Sequence, residues 1–329
     1  MNTCLRSFAF TVLTVYCCAA QSKPTAEYWQ ALREGAAAKV TLKVAEQNGL
    51  AVSNANATVY FDMVNKEGNA SRGSTDGEGL FSAEGLCADY AAITVTKQGY
   101  YDTRFRYDGI RSRDPERLKD GRWLPWNPTI PVVLREVRDP IPMYVKSVDA
   151  ILPKGVFVGF DCLRGEFLPP AGNGETADFY ILVEQDGVLS KDRKFSRRMA
   201  LRSASEDGGF VFQASHLHSA FKSEYLAPLD GYRGTVDFYE EYPPDSAVKP
   251  KVDPFDSGKH MVFRSRVKKD AKGNIVEAYH GKVYERMEYG RNARLQTDGE
   301  SMVKFLYYFN PTPNDRNLEF DGKNNLFFP

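Results

Sequence analysis

From Ala38 onward, apolar and polar residues alternate along the chain. Val40, Leu42 and Val44 are separated by Thr41 and Lys43, and Val59, Phe61 and Met63 by Tyr60 and Asp62. Ile93 and Val95 alternate with Thr94 and Thr96. Tyr101, Thr103, Phe105 and Tyr107 alternate with Asp102, Arg104 and Arg106, and Ile130, Val132 and Leu134 close this stretch. A period of two is what a half-buried strand requires, because successive side chains point to opposite faces. Asp-Gly steps at 76, 108, 120, 186, 207, 230, 298 and 321, with Asn-Gly at 48 and 173, supply turns along the whole chain. The clearest hairpin runs from Val262 to Val267, turns over Asp270–Asn274, and returns over Ile275–Tyr284. No strand–helix–strand alternation appears, so a doubly wound α/β enzyme is disfavoured. The expected fold is all-β: an N-terminal seven-stranded-type sandwich followed by a larger antiparallel β-sandwich-like domain.

The ends and joints of this pattern predict the organisation. Arg6 precedes an uncharged, mostly apolar run over residues 8–20 that ends in Cys18-Ala19-Ala20. This is the layout of a secretory signal peptide over 1–20, and the run is short for a membrane span of about 20 residues. Residues 21–37 form a lead-in that reads as a short helix, with Thr25 as cap, Tyr28 and Leu32 on one face, and Gly35 as its stop. A first domain covers 38–137. A Pro-rich connector at 138–144 contains Pro140 and Pro142, which cannot continue a ladder. A second β domain covers 145–329. Within it, Tyr242-Pro243-Pro244-Asp245 through Pro254 and Asp256 reads as an exposed loop. The run Phe305-Leu306-Tyr307-Tyr308-Phe309 reads as a strand buried on both faces.

One stretch carries a recognisable string. It opens with Asn48-Gly49-Leu50-Ala51-Val52. Ser74-Thr75-Asp76-Gly77-Glu78-Gly79-Leu80-Phe81 follows, then Ile93-Thr94-Val95-Thr96-Lys97-Gln98-Gly99-Tyr100-Tyr101. This resembles the carboxypeptidase regulatory-like modules, a transthyretin-like or Cna-B-like β-sandwich, over roughly residues 38–137. The resemblance implies a small sandwich whose turns are made by Asp76, Gly79 and Gly99, with Phe81 entering the core and Tyr100 after the second turn. Asp76 is placed to bond the amides of its own turn, and Gly99 permits a backbone that Tyr100 would adopt only at a cost. Such modules are spacers, accessory domains or surface-presented units. No family is recognised for residues 141–329.

Composition narrows the function. The chain has 329 residues, 42% of them hydrophobic and 13% aromatic, so it is not a disordered chain. Its formal net charge is zero. With no basic excess to neutralise phosphates, nucleic acid is excluded as a partner. Of five cysteines, Cys4, Cys17 and Cys18 leave with the signal peptide. Cys87 and Cys162 remain, either as a disulfide permitted in an exported compartment or as two buried thiols. Lipoprotein anchoring is less favoured, since Cys17 follows Tyr16 and Cys18 follows Cys17. His216 and His218 would share a face on a strand and are the one candidate metal pair, though a zinc site needs a third ligand at least. Trp123 and Trp126, in a loop with Pro125 and Pro128, could stack on a sugar or a partner, or plug the open end of a sandwich. G-x-S-x-G, P-loop and dinucleotide fingerprints are absent, and no catalytic residue or cofactor is assigned.

The reading adopted is an exported, non-enzymatic β-sandwich protein, periplasmic or extracellular, with a structural or binding role toward an unidentified protein or glycan. The mature chain is expected to contain no transmembrane segment. Two other readings stay open: an exported hydrolase of glycan or peptide with its site in 145–329, and a surface adhesion or assembly component.

Overall fold

The computed structural model describes residues 23–63, 67–110, 114–187, 195–242, 251–255, 258–290 and 299–328. The leader expected over 1–20 lies outside them, as do Pro243–Pro250 and Asp256 of the Pro-rich loop. Strands make up 55% of the described residues and helix 4%, so the fold is all-β. No described helix is long and apolar enough to cross a membrane. The chain folds as two compact units. One holds the chain up to Ala45 with Ala51–Val95 and Phe105–Val132; the other holds Glu46–Leu50, Thr96–Arg104 and everything from Val133.

The first unit opens on helix α1, Ala26–Glu34. Thr25 Oγ1 accepts from the Tyr28 amide at 3.1 Å, and Gly35, at φ +84°, ends the helix. The strands that follow in the chain are β1 (Ala36–Glu46), β2 (Asn56–Phe61), β3 (Asn69–Ser74), β4 (Leu80–Cys87), β5 (Ala91–Thr96), β6 (Tyr100–Tyr101), β7 (Thr103–Tyr107), β8 (Leu118–Lys119), β9 (Arg122–Trp123) and β10 (Thr129–Glu136), of which β6, the start of β7 and the end of β10 belong to the second unit. One sheet runs β3-β2-β5-β7. In the other, β1 lies between β10 and β9 and also carries β4, antiparallel from Ala36 opposite Cys87 to Lys43 opposite Leu80. The alternating positions are buried as their period demands: Val40, Leu42 and Val44 on β1, Val59 and Phe61 on β2, Ile93 and Val95 on β5. Each such side chain contributes about 1.5–3 kcal/mol on burial.

The second unit adds β11 (Ile141–Pro153), β12 (Val158–Asp161), β13 (Glu166–Phe167), β14 (Phe179–Asp186), β15 (Phe195–Ser203), β16 (Gly209–Ala214), β17 (Thr235–Tyr242), β18 (Lys251–Val252), β19 (Lys259–Lys269), β20 (Ile275–Val283), β21 (Glu288–Gly290), β22 (Glu300–Phe309) and β23 (Phe320–Asn325). These make two sheets, β16-β19-β20-β22-β11-β23 with β21 on β22, and β13-β12-β14-β15-β17-β18. Their shared core is aromatic. Phe160 of one sheet meets Phe305 and Tyr307 of the other at 5.2 and 5.3 Å between ring centres, and Phe179 meets Phe263 at 5.4 Å.

Two local features differ from the expectation. In the Phe305–Phe309 run of β22, Phe305, Tyr307 and Phe309 are buried, while Leu306 and Tyr308 are half-buried. That half of the strand alternates, whereas Ser301, Met302 and Val303 before it are all buried. Phe81 does not enter the core: it is half-buried, with its ring against the backbone of Gly73.

Candidate functional site

The turn residues named from sequence sit in turns. Asp76 Oδ1 accepts from the Glu78 and Leu80 amides at 2.9 and 2.8 Å. Gly79 adopts φ +75°, and a Cβ there would fall 2.3 Å from the Val44 carbonyl oxygen, so no other residue fits without displacing β1. Gly99 adopts φ +81°. Tyr100 donates its hydroxyl to Glu46 at 2.7 Å.

The candidate ligand residues are not brought together into a site. Trp123 is only 2% exposed. Its indole Nε1 donates to the Cys87 carbonyl at 2.8 Å, and its ring stands edge-on to Tyr28 of α1. It is a core residue and is unavailable for stacking on a sugar. Trp126 is half-buried, with the Arg122 guanidinium 5.0 Å from its ring. His216 and His218 lie on the turn after β16, so the face-sharing geometry of a strand does not arise. His216 Nε2 is 3.0 Å from Glu224 Oε1. Among the described residues no three His, Cys, Asp or Glu side chains gather as a metal site. Cys87 and Cys162 are free, buried thiols and do not form the disulfide considered above. Burial pushes the Cys87 thiol up to about 12 and raises Cys162 as well, so neither supplies a thiolate at neutral pH.

The structure reveals instead three buried charged clusters in the second unit. In the first, Arg266 lies where β19 shifts register, at φ +50°. Its Nε and Nη2 reach the two oxygens of Asp178 at 2.8 and 3.0 Å, and Nη2 also reaches Asp161 at 2.9 Å. Asp178 accepts further from the Ser265 hydroxyl and the Cys162 amide. Asp161 accepts from the amides of Leu163, Arg164, Glu175 and Thr176. Burial works against the Asp161 charge, but these amides and Arg266 outweigh it and hold the carboxyl below its usual value. Every oxygen is committed, so this pair of carboxylates is a clamp rather than an acid–base pair.

The second cluster is similar. Glu240 receives Arg197 Nε at 2.6 Å and the Tyr242 hydroxyl at 2.6 Å, and Arg197 also reaches the Tyr289 carbonyl. Against burial, the Tyr242 and Arg197 bonds keep Glu240 ionised below its usual range.

The third cluster is basic. Arg135 near the end of β10, His260 on β19 and Lys282 on β20 are 1%, 0% and 1% exposed. Lys282 Nζ donates to the Ser223 hydroxyl at 3.3 Å, to the Tyr284 hydroxyl and to the Leu318 carbonyl. Burial, and then the nearby Arg135, lower its pKa well below that of a free lysine. Arg135 Nη1 donates to the Phe221 and Ser223 carbonyls at 2.7 and 2.5 Å. Its Nε and Nη2, and His260 Nε2, are buried with no hydrogen-bond partner among the described residues. Glu319 accepts from the Tyr101 hydroxyl and the Arg138 and Asp139 amides, each at 2.8 Å, and pairs with neither cation. In sequence Lys282 stands in an ordinary alternating strand, and nothing near it signals burial.

One open groove of about 570 Å³ also lies in the second unit, lined by Phe212, Arg233, Thr235, Asp237, Asp253 and Lys259 among others. Asp237 is paired with Arg198 and Asp253 with Arg286. Arg233 and Lys259 are exposed and make no ion pair among the described residues. Among the described residues, the uncompensated charge lining the groove is therefore positive.

No family model matches the chain, and no curated protein matches it. Among solved structures it is similar to a DUF3823 family protein from Parabacteroides merdae, at 11% identity and a TM-score of 0.20, covering 70% of this chain and 90% of that one. It is similar also to the full-length major pilin SpaD from Corynebacterium diphtheriae, at 11% identity and a TM-score of 0.23, covering 86% and 83%. Overlaps this loose assign no activity to the chain.

Proposed function

We propose that the chain is an exported, non-enzymatic β-sandwich protein, periplasmic or extracellular, whose second domain binds a negatively charged ligand or partner in the groove between β16 and β17–β18. In this reading residues 38–137 are a transthyretin-like module of the carboxypeptidase regulatory-like kind that supports the binding domain, 138–144 are the connector, and 145–329 bind. The observation that carries it is the groove itself. It has the size of a ligand cleft, and the two charged side chains lining it that make no ion pair among the described residues, Arg233 and Lys259, are cations. The buried carboxylates that could serve hydrolysis are instead saturated by arginine and backbone amides. The test is a calorimetric screen of the mature protein against acidic and neutral glycans and peptides, at low and high salt. Acidic members should bind, more weakly as salt rises. Arg233→Ala with Lys259→Ala should weaken binding by about tenfold or more, with an unchanged circular dichroism spectrum. Preference for neutral ligands, binding unaffected by the double variant, or turnover of a bound glycan or peptide would each defeat the reading.

A further inference from the structure

We propose that the edge of the Arg135 guanidinium bearing Nε and Nη2 is a binding site for a small oxyanion, one centre presenting two oxygens as a carboxylate or inorganic phosphate does. Buried polar groups in folded proteins are nearly always paired, and an exception calls for an explanation, a bound ion among them. Here two donors of one buried cation are unmatched. They are also the two N–H groups that point the same way, a fork whose spacing matches two oxygens on one atom.

The same molecule shows this fork filled. Arg266 presents its Nε and Nη2 to the two oxygens of Asp178 at 2.8 and 3.0 Å. Arg135 offers the identical edge with no carboxylate in front of it among the described residues. Nor can it turn away to find one. Nη1 is fixed by two carbonyls, and the guanidinium carbon lies 4.6 Å from the rings of both Phe221 and Tyr225. The nearby carboxylates are engaged elsewhere: Glu319 by Tyr101 and two amides, Glu224 by His216. The surroundings add a second cation. Ser223 links Arg135, through its carbonyl, to Lys282, through its hydroxyl. The result is a buried, positively charged edge whose two donors are held in place and unmatched. None of its residues lines the groove proposed above, so the two sites stand or fall separately.

The test is a titration of the full mature protein with acetate, phosphate and chloride at constant ionic strength and pH 7. Thermal unfolding and the arginine Nε–H resonances are followed together. Acetate or phosphate should raise Tm saturably by several degrees. One slowly exchanging Nε–H resonance, absent from Arg135→Lys, should shift with the same midpoint. Chloride, which carries charge but no pair of oxygens, should do neither. A response to acetate alone marks a planar carboxylate site, and one to phosphate alone a tetrahedral one. Arg135→Lys keeps the charge and loses the fork, so the oxyanion effect should weaken about tenfold or more. The proposal fails if neither oxyanion gives a saturable shift, if chloride matches them, or if Arg135→Lys binds as tightly as the parent. If that variant does not fold, crystals of the parent grown in acetate and in phosphate decide. Density within hydrogen-bond distance of both Nε and Nη2 supports the site; nitrogens facing only the aromatic rings overturn it.

Discussion

At the scale of single residues, His260 and His280 are the groups whose burial should be felt in solution. Burial brings each down to about 4, with Lys282 adding to the effect on His260, while the Asp315 carbonyl, which His280 contacts, only partly offsets it there. In the unfolded chain a histidine titrates near 6.5. As pH falls, the unfolded chain therefore takes up protons before the folded one does. Stability is complete above about pH 6.5 and is lost as pH drops from there toward 4, by about 2–3 kcal/mol per histidine at the lower end. The urea midpoint should decline across this window, and His280→Gln should lose part of the slope. Asp161, held below its ordinary value, would add its own loss only under about pH 4. A midpoint flat between pH 6.5 and 4 would show that these imidazoles are not buried neutral. Neither histidine stands out in sequence. Each lies on a strand whose alternation looks the same whether the polar position faces solvent or the core.

At the scale of elements, the sequence was most readable where a turn follows from one residue's chemistry. Asp270 accepts from the Lys272 and Asn274 amides and Gly273 adopts φ +85°, so the β19–β20 hairpin stands where Asp-Ala-Lys-Gly-Asn indicates. The irregularity on the same strand was hidden. The shift after Ser265 aims Arg266 at two carboxylates more than 80 residues away in sequence, and a local pattern carries no trace of such partners. This clamp ties β19 to the segments around Asp161 and Asp178, so its loss should be global. Arg266→Lys keeps the charge but forfeits the doubled contact with Asp178, which is wholly buried. We expect about 2–3 kcal/mol of destabilisation by urea unfolding. A change under 1 kcal/mol would mean that the carboxylates find other partners.

At the scale of the whole molecule, all-β character was legible because period two recurs from Ala38 to Phe309. Strand order was not. The pairing of β11 with β22 joins residues about 150 positions apart, and the core that selects it is an aromatic packing no local pattern encodes. The two mature cysteines report on that division. Cys87 lies in the first unit, where the Trp123 indole donates to its carbonyl at 2.8 Å. Cys162 lies in the second, where Tyr307 donates its hydroxyl to the Cys162 carbonyl at 2.7 Å beside Phe160. Both thiols are fully buried, so labelling requires opening of the unit that holds each. The smaller unit buries a smaller share of its chain and should open first. In rising urea, Cys87 should therefore be alkylated at a lower concentration than Cys162, with the modified peptides resolved by mass spectrometry. Both should stay unmodified in native buffer, where their protonated, buried state leaves no thiolate to react. Labelling of Cys162 before Cys87 would mean that the aromatic core is not the more stable part of the chain. Rapid labelling of either thiol without urea would contradict its burial.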